Sequence, residues 1–214
     1  MLFRSEQNSN IFVADLGGGT FDISLINFQS EELSSVISSS GDSELGGDDF
    51  TSIIYDLIIS DIISKKSDFD LDSLTKSLIF EEADKVKCEL SNSLASEIIF
   101  PFLKTTDNKI FEHVFKITRE EYEEAIKPLL LRIENLVKKF LDEKKVSSKK
   151  IDQLVLAGGS SRIPAYRSLL KKILNLNPKL DSNPDEVVAM GAALCAEYAS
   201  GSNPVATQIG RAHV

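Results

Sequence analysis

Three consecutive glycines, Gly17-Gly18-Gly19, separate two runs that read as β-strands. Ile11 to Leu16 is a compact apolar run suited to a buried strand, and Phe21 to Phe28 alternates enough to be its hairpin partner. With no Cβ in the way, an anion can approach the backbone N–H groups of the connecting loop, which suits a phosphate. A related pattern closes the chain. Gln153 to Ala157 reads as a buried strand, Gly158-Gly159-Ser160-Ser161 as a tight loop, and Pro164 as a first-turn residue of a helix through Leu174. The first end reads strand, loop, strand and the second strand, loop, helix.

A third strand is expected over Leu33 to Ser39, followed by a loop from Gly41 to Gly47. A helix starting at Asp48 or Asp49 then buries a stripe of Phe50, Ile53, Ile54, Leu57 and Ile58. The polar stretch Ser64 to Asp72 leads to a second helix, Leu74 to Leu90, whose exposed face carries Asp84, Lys87 and Ser91. Two strands, Glu97 to Leu103 and Ile110 to Ile117, are joined by a turn at Thr105-Thr106-Asp107-Asn108. Thr118 heads a capping box with Glu121, and the helix it starts runs to about Lys145 with Ile126, Leu129, Leu130, Ile133, Val137 and Phe140 inward. Pro128 predicts a kink or a fresh start within it. A last helix is expected from Asp185 to Tyr198.

The balance of 33 acidic against 24 basic residues gives a net charge of −9 and disfavours nucleic acid and anionic membrane surfaces as partners. No run approaches the roughly 20 apolar residues that span a bilayer. Cys88 and Cys195 lie far apart without a CxxC or a companion His, which argues against a zinc site and fits a reducing, cytoplasmic home. The last six residues, Ile209 to Val214, read as a translation of adapter-like DNA and are expected to be an artefact at the end of a disordered tail over 201–214.

Asp15, just before the glycine loop, could hold a hydrated Mg²⁺, and the Thr20 hydroxyl could bond a terminal phosphate oxygen or an attacking water. Arg162, in the second loop, offers a planar cation able to lie over an adenine face. Asp84, Lys87, Cys88 and Ser91 fall within two helical turns, where a carboxylate, an ammonium and a hydroxyl can read ribose hydroxyls and an adenine edge. Taken singly, each motif is equally readable as structure: a glycine turn, a tight strand-to-helix loop, a solvated helix face.

Together they are specific. IFVADLGGGTFDIS, GDSELGGDDF, EEADKVKCELS, VLAGGSSRIP and NPDEVVAMGAA resemble, in order and spacing, the nucleotide-binding domain of the heat-shock protein 70 (DnaK-type) chaperones, over about Ile11 to Ala199. The resemblance implies an α/β fold, an actin-like ATPase lobe with a mixed sheet flanked by helices and an inserted smaller α+β subdomain. Residues 1–45 and 119–181 would form the core and 46–118 the insert. It implies ATP or ADP with Mg²⁺ as cofactors, with Asp15 and Thr20 catalytic and Asp15 at the metal. Gly17, Gly18, Gly19, Asp84, Lys87, Cys88, Ser91, Gly158, Gly159, Ser160, Arg162 and Asp185 would bind nucleotide. Cys88 stands where the family places an Arg or an aliphatic residue against the base. GDSELGGDDF, the Ile126 to Leu129 segment and AEYASGSNP look like the iron-sulfur-cluster-assembly chaperones of the HscA type.

The family's first lobe has no equivalent in this sequence, and the helix over 182–200 would belong with that lobe. The expected function is therefore that of one lobe of an ATP-dependent chaperone, inactive as an ATPase by itself. In the whole protein it would work with a J-domain co-chaperone, a nucleotide-exchange factor and a client, which for the HscA type is an iron-sulfur scaffold. Two alternatives stand beside it: another actin-like ATPase of the MreB or FtsA kind, and a non-enzymatic docking lobe for co-chaperones.

Overall fold

The computed structural model describes residues 9–30 and 33–179. The helix expected from Asp185, and Asp185 itself, lie outside the described residues. Contacts divide the chain into two compact units. One comprises, of the described residues, those up to Gly47 and those from Arg132 onward; the other is Asp48–Leu131.

The larger unit is built on a sheet of β1 (Ser9–Leu16), β2 (Phe21–Ser30), β3 (Leu33–Asp42), β6 (Gln153–Ala157) and β7 (Pro178–Lys179), in the order β3-β2-β1-β6-β7. Strand β1 is central. It runs antiparallel to β2, with Leu16 opposite Phe21 and Asp15 opposite Asp22, and parallel to β6, with Asp15 beside Ala157. One side of this ladder supplies Phe12, Ala14, Leu16, Phe21, Ile23 and Leu25, all essentially without solvent contact. Helix α4 (Lys127–Glu143) brings Ile133, Val137 and Phe140 to the core, and α5 (Pro164–Leu174) brings Tyr166, Leu170 and Leu174. Phe12 meets Phe140, and Phe21 meets Tyr166, as edge-on aromatic pairs with centroids 6.0 and 6.1 Å apart. Each large side chain so covered contributes about 1.5–3 kcal/mol.

Strand β3 extends beyond the expected Ser39 to Asp42, where Gly41 pairs with Asp22 and Asp42 with Phe21. The Ser/Gly-rich segment has little intrinsic strand preference, so the ladder with β2 imposes the extended form. At its end the Arg132 guanidinium grips Asp42 with two forked bonds of 2.7 Å.

The smaller unit packs α1 (Gly47–Lys65) and α2 (Ser73–Leu90) with a hairpin of β4 (Ala95–Lys104) and β5 (Ile110–Thr118). Helix α1 buries Phe50, Ile54, Ile58 and Ile62, an uninterrupted i, i+4 row, while Ile53 and Leu57 flank it half-buried. The His113 imidazole of β5, itself buried, lies 2.9 Å from the Asp61 carboxylate of α1, which Lys65 also pairs at 2.8 Å. After Thr118 comes α3 (Arg119–Ala125), then a break at Ile126 and the new helix α4 with Pro128 in its first turn, where its missing N–H costs nothing. The division between units falls inside α4, whereas the boundary expected from sequence lies earlier, at 118/119. Arg119 accounts for the difference: its N–H donates to the Leu94 carbonyl and its guanidinium to that of Leu90, which keeps α3 with the smaller unit.

Thr118 and Glu121 form a reciprocal capping box, and the bond from the Thr118 N–H holds the Glu121 carboxyl below its ordinary range. Thr118→Ala is expected to cost about 1 kcal/mol in urea denaturation and to speed amide exchange over residues 119–121.

Candidate functional site

The first glycine loop is held from three sides. Within it, the Gly17 N–H donates to the Thr20 carbonyl at 3.0 Å. The Gly17 carbonyl accepts the Gly47 N–H at 2.8 Å and the Ser160 hydroxyl at 3.3 Å. Gly46 is packed so closely that a Cβ there would lie 2.4 Å from the Gly19 carbonyl carbon and 2.5 Å from the Gly18 oxygen. Gly158 enters the second loop at φ +78°, and its Cβ would strike the Leu16 carbonyl at 2.2 Å and an Asp15 oxygen at 2.6 Å. Both positions therefore require glycine for the fold itself.

Gly18 and Gly19 are different. A Cβ on either would meet nothing within 4 Å, and neither has positive φ. The chain's own described atoms do not explain these two glycines, and their backbone is open to an approaching anion. That is the arrangement a phosphate cradle needs.

Asp15 sits at the edge of this cradle, half-buried. Its burial, and then the Asp22 carboxylate facing it across the β1–β2 ladder, push its carboxyl above the ordinary range. The Thr20 hydroxyl donates to Asp22 at 3.0 Å, so its proton is committed and its lone pairs are what it offers outward. Asp22 was not singled out from the sequence, although the hairpin register that pairs Leu16 with Phe21 also places it opposite Asp15. Among the described residues, no three His, Cys, Asp or Glu side chains gather as a metal-binding group. A cation at Asp15 would complete its shell with phosphate oxygens and water, the coordination Mg²⁺ prefers.

The second loop is a short 3₁₀ turn, Gly159–Arg162, entered from Gly158. Ser160 is buried by its bond to Gly17, while Arg162 is exposed. The neighbouring Arg167 donates from Nε to the Ser161 carbonyl at 2.7 Å, fixing the turn from behind.

In the smaller unit the structure corrects one expectation about α2. Lys87 is not on an exposed face: it is 8% exposed, and its ammonium turns inward to the Thr51 hydroxyl at 2.8 Å and Asp84 Oδ1 at 2.6 Å. An ammonium can be buried there because it is paired and hydrogen-bonded. Burial raises the Asp84 carboxyl, but the bond and charge of Lys87, with the bond from Thr51, outweigh it and hold the group below its ordinary range. Cys88 is exposed as a free thiol. Ser91 caps α2, its N–H reaching the Cys88 carbonyl and its hydroxyl donating to that of Lys87 at 3.2 Å. A groove of about 550 Å³ lined by residues of α4, α5 and the α4–β6 loop contains none of the predicted site residues.

The family model described as "Hsp70 protein" matches residues 2–209. The chain belongs to the Hsp70 family. Among its Hsp70 relatives are "Chaperone protein dnaK" of Guillardia theta, 41% identical over 92% of this chain, and the "Stromal 70 kDa heat shock-related protein, chloroplastic" of Pisum sativum, 39% identical over 93%. "Heat shock 70 kDa protein 7, chloroplastic" of Arabidopsis thaliana is likewise 39% identical. The chain spans 31% of the first of these Hsp70 proteins and 28% of each of the other two. The mixed sheet flanked by helices is the actin-like ATPase fold of the Hsp70 nucleotide-binding domain. Membership in the Hsp70 family sets aside the filament-protein alternative. Among the described residues no helix is long and apolar enough to cross a membrane.

The four glycines should separate in urea denaturation of the ligand-free protein. Gly46→Ala and Gly158→Ala are expected to lose upward of about 2 kcal/mol, and Gly18→Ala and Gly19→Ala to change stability by less than about 1 kcal/mol.

Asp15 gives a pH signature. Because its folded-state pKa is raised, its ionisation subtracts from stability; the penalty is complete above the folded pKa and vanishes below the ordinary value near 3.8. Asp15→Asn should therefore be more stable than the wild type at neutral pH, with the gap closing as pH falls through that window. A gap that widened on acidification would contradict the assignment.

Proposed function

We propose that this chain is the nucleotide-reading part of an ATP-dependent molecular chaperone, in which ATP hydrolysis drives the binding and release of client proteins. The observation that carries the reading is the bare backbone of Gly18 and Gly19, glycines that the fold does not need, in a loop that a second glycine loop and Gly46 hold rigid. Membership in the Hsp70 family supports it.

In this reading the phosphates of ATP are the ligand of the Gly17 to Thr20 loop; the Gly17 N–H is spent on the Thr20 carbonyl, and the Gly18 and Gly19 N–H groups would donate to developing negative charge at no reorganisation cost. Mg²⁺, when bound, neutralises charge on the transferring phosphoryl group, and Asp15 would hold it. Thr20, whose proton is engaged by Asp22, would accept a hydrogen bond from the attacking water and so orient it. Gly158, Gly159 and Ser160 support the cradle, and the exposed Arg162 guanidinium is assigned to the adenine face. The ribose and the adenine edge are assigned to Asp84, Lys87, Cys88 and Ser91 of α2, and the resemblance assigns Asp185 to the same nucleotide.

ATP turnover, a J-domain co-chaperone, a nucleotide-exchange factor and a client belong to this proposal for the whole protein. A general client range and an iron-sulfur scaffold both remain within this proposal; the relatives named above are a DnaK chaperone and chloroplastic heat-shock proteins. A reducing compartment, such as the cytoplasm, suits the exposed free thiol of Cys88.

Titration of the ¹⁵N-labelled 214-residue chain with ADP and Mg²⁺ tests the reading. Amide resonances of 17–20, 84–91 and 158–162 are expected to shift, and Gly18→Ala should abolish the response at 17–20 while leaving the fold intact. Shifts confined to other segments, or none at millimolar ADP, would reject it.

A further inference from the structure

We propose that Thr51 is a positioning residue of the sugar-reading face: its hydroxyl, shared between Lys87 and Asp84, fixes the Asp84 carboxylate with one oxygen left to accept a ligand hydroxyl. The inference rests on the adenosine reading of α2 given above, and it assigns a role to a residue of α1 that no motif marks.

A threonine inside a helix commonly bonds back to the carbonyl a turn earlier. The fully buried Thr51 reaches across to α2. Its Oγ1 donates to Asp84 Oδ1 at 3.0 Å and accepts from Lys87 Nζ at 2.8 Å, while Lys87 donates to the same Asp84 oxygen at 2.6 Å. The three groups close a triangle spanning two packed helices. An ammonium, a hydroxyl and a carboxylate satisfy one another only in this sense of donation, because Lys87 can only donate and ionised Asp84 can only accept.

Two consequences follow from where the bonds fall. The Lys87 side chain is 10% exposed and that of Asp84 is 50% exposed, so the carboxylate is the member of the triangle most open to a ligand. Both inward bonds end on Oδ1, which leaves Oδ2 as the acceptor presented outward. An outward acceptor that cannot donate selects a ligand with a hydroxyl at that point over one lacking it, because a missing donor leaves the carboxylate desolvated and unmatched. The arrangement favours a ribose over its deoxy counterpart.

The test uses the 214-residue chain with ¹³C-labelled Asp carboxyls, comparing wild type, Thr51→Val and Thr51→Ser. Without nucleotide, Thr51→Val should raise the Asp84 carboxyl pKa by about 1, the scale of one lost hydrogen bond to an ionised group, while Thr51→Ser stays near wild type. With nucleotide, wild type should prefer ADP to either its 2′- or its 3′-deoxy analogue by about 10-fold; Thr51→Val should narrow that ratio to below about 3-fold, and Thr51→Ser should restore it. An Asp84 titration unmoved by Thr51→Val, or an equal loss of discrimination in both variants, overturns the proposal. Failure of wild type to bind ADP would instead overturn the adenosine reading alone, since the ligand-free titration still decides whether Thr51 sets the state of Asp84.

Discussion

One peptide oxygen, that of Gly17, gathers the site of the larger unit. It accepts the Gly47 N–H and the Ser160 hydroxyl, so three segments remote in sequence converge on a single carbonyl. A carbonyl has two lone pairs, and leaving such a group dry and unpaired costs about 1–3 kcal/mol. Satisfying it draws the end of β3, the loop after β6 and the turn after β1 together, and the contacts of Gly46 and Gly158 are what that closeness requires. The site is thus made partly of backbone brought to within van der Waals limits, which is why Gly46 and Gly158 are glycine.

Side-chain electrostatics are disposed oppositely in the two units. Asp15 faces another carboxylate across the ladder, and its charged form works against the fold. Asp84 is met by an ammonium and a hydroxyl, and its charged form is favoured. A carboxylate kept at a cost to folding is a sign that something other than stability selects it. A carboxylate satisfied from within is suited to a fixed, passive contact. In the function proposed above, the first would have its charge neutralised by a ligand and the second would recognise a neutral polar group.

Much of this was legible in the sequence because it is local. The compact apolar run of β1, the helical stripe of α1, the Thr118 box and the break near Pro128 each depend on neighbours within a turn or two, and glycine and proline mark their own constraints. What was not legible depends on partners far away. Nothing near Lys87 announces that Thr51 will draw its ammonium inward, and the reading of α2 as a uniformly exposed polar face fails there. The extension of β3 to Asp42 rests on the ladder with β2 and on Arg132, 90 residues on. Gly18 and Gly46 look alike in the sequence; only the packing reveals that one is demanded by the chain and the other is not.

The parallel pairing of β1 with β6 has a consequence for how the chain comes to be folded. Ile11 lies beside Gln153, and the whole of the smaller unit is a continuous segment between the two strands. On the ribosome the β1–β3 meander emerges before the insert, but its central strand lacks its β6 neighbour until all of residues 48–131 has been released. The insert, whose hairpin and helices pair with near neighbours, has the lower contact order and the head start. A chain that forms the insert early closes a compact body between β1 and β6 in place of a long random loop, and the entropy lost in that closure falls accordingly. The vulnerable interval in synthesis is therefore the one in which β1 waits with its edge uncovered, the form of exposure that invites pairing with another nascent chain.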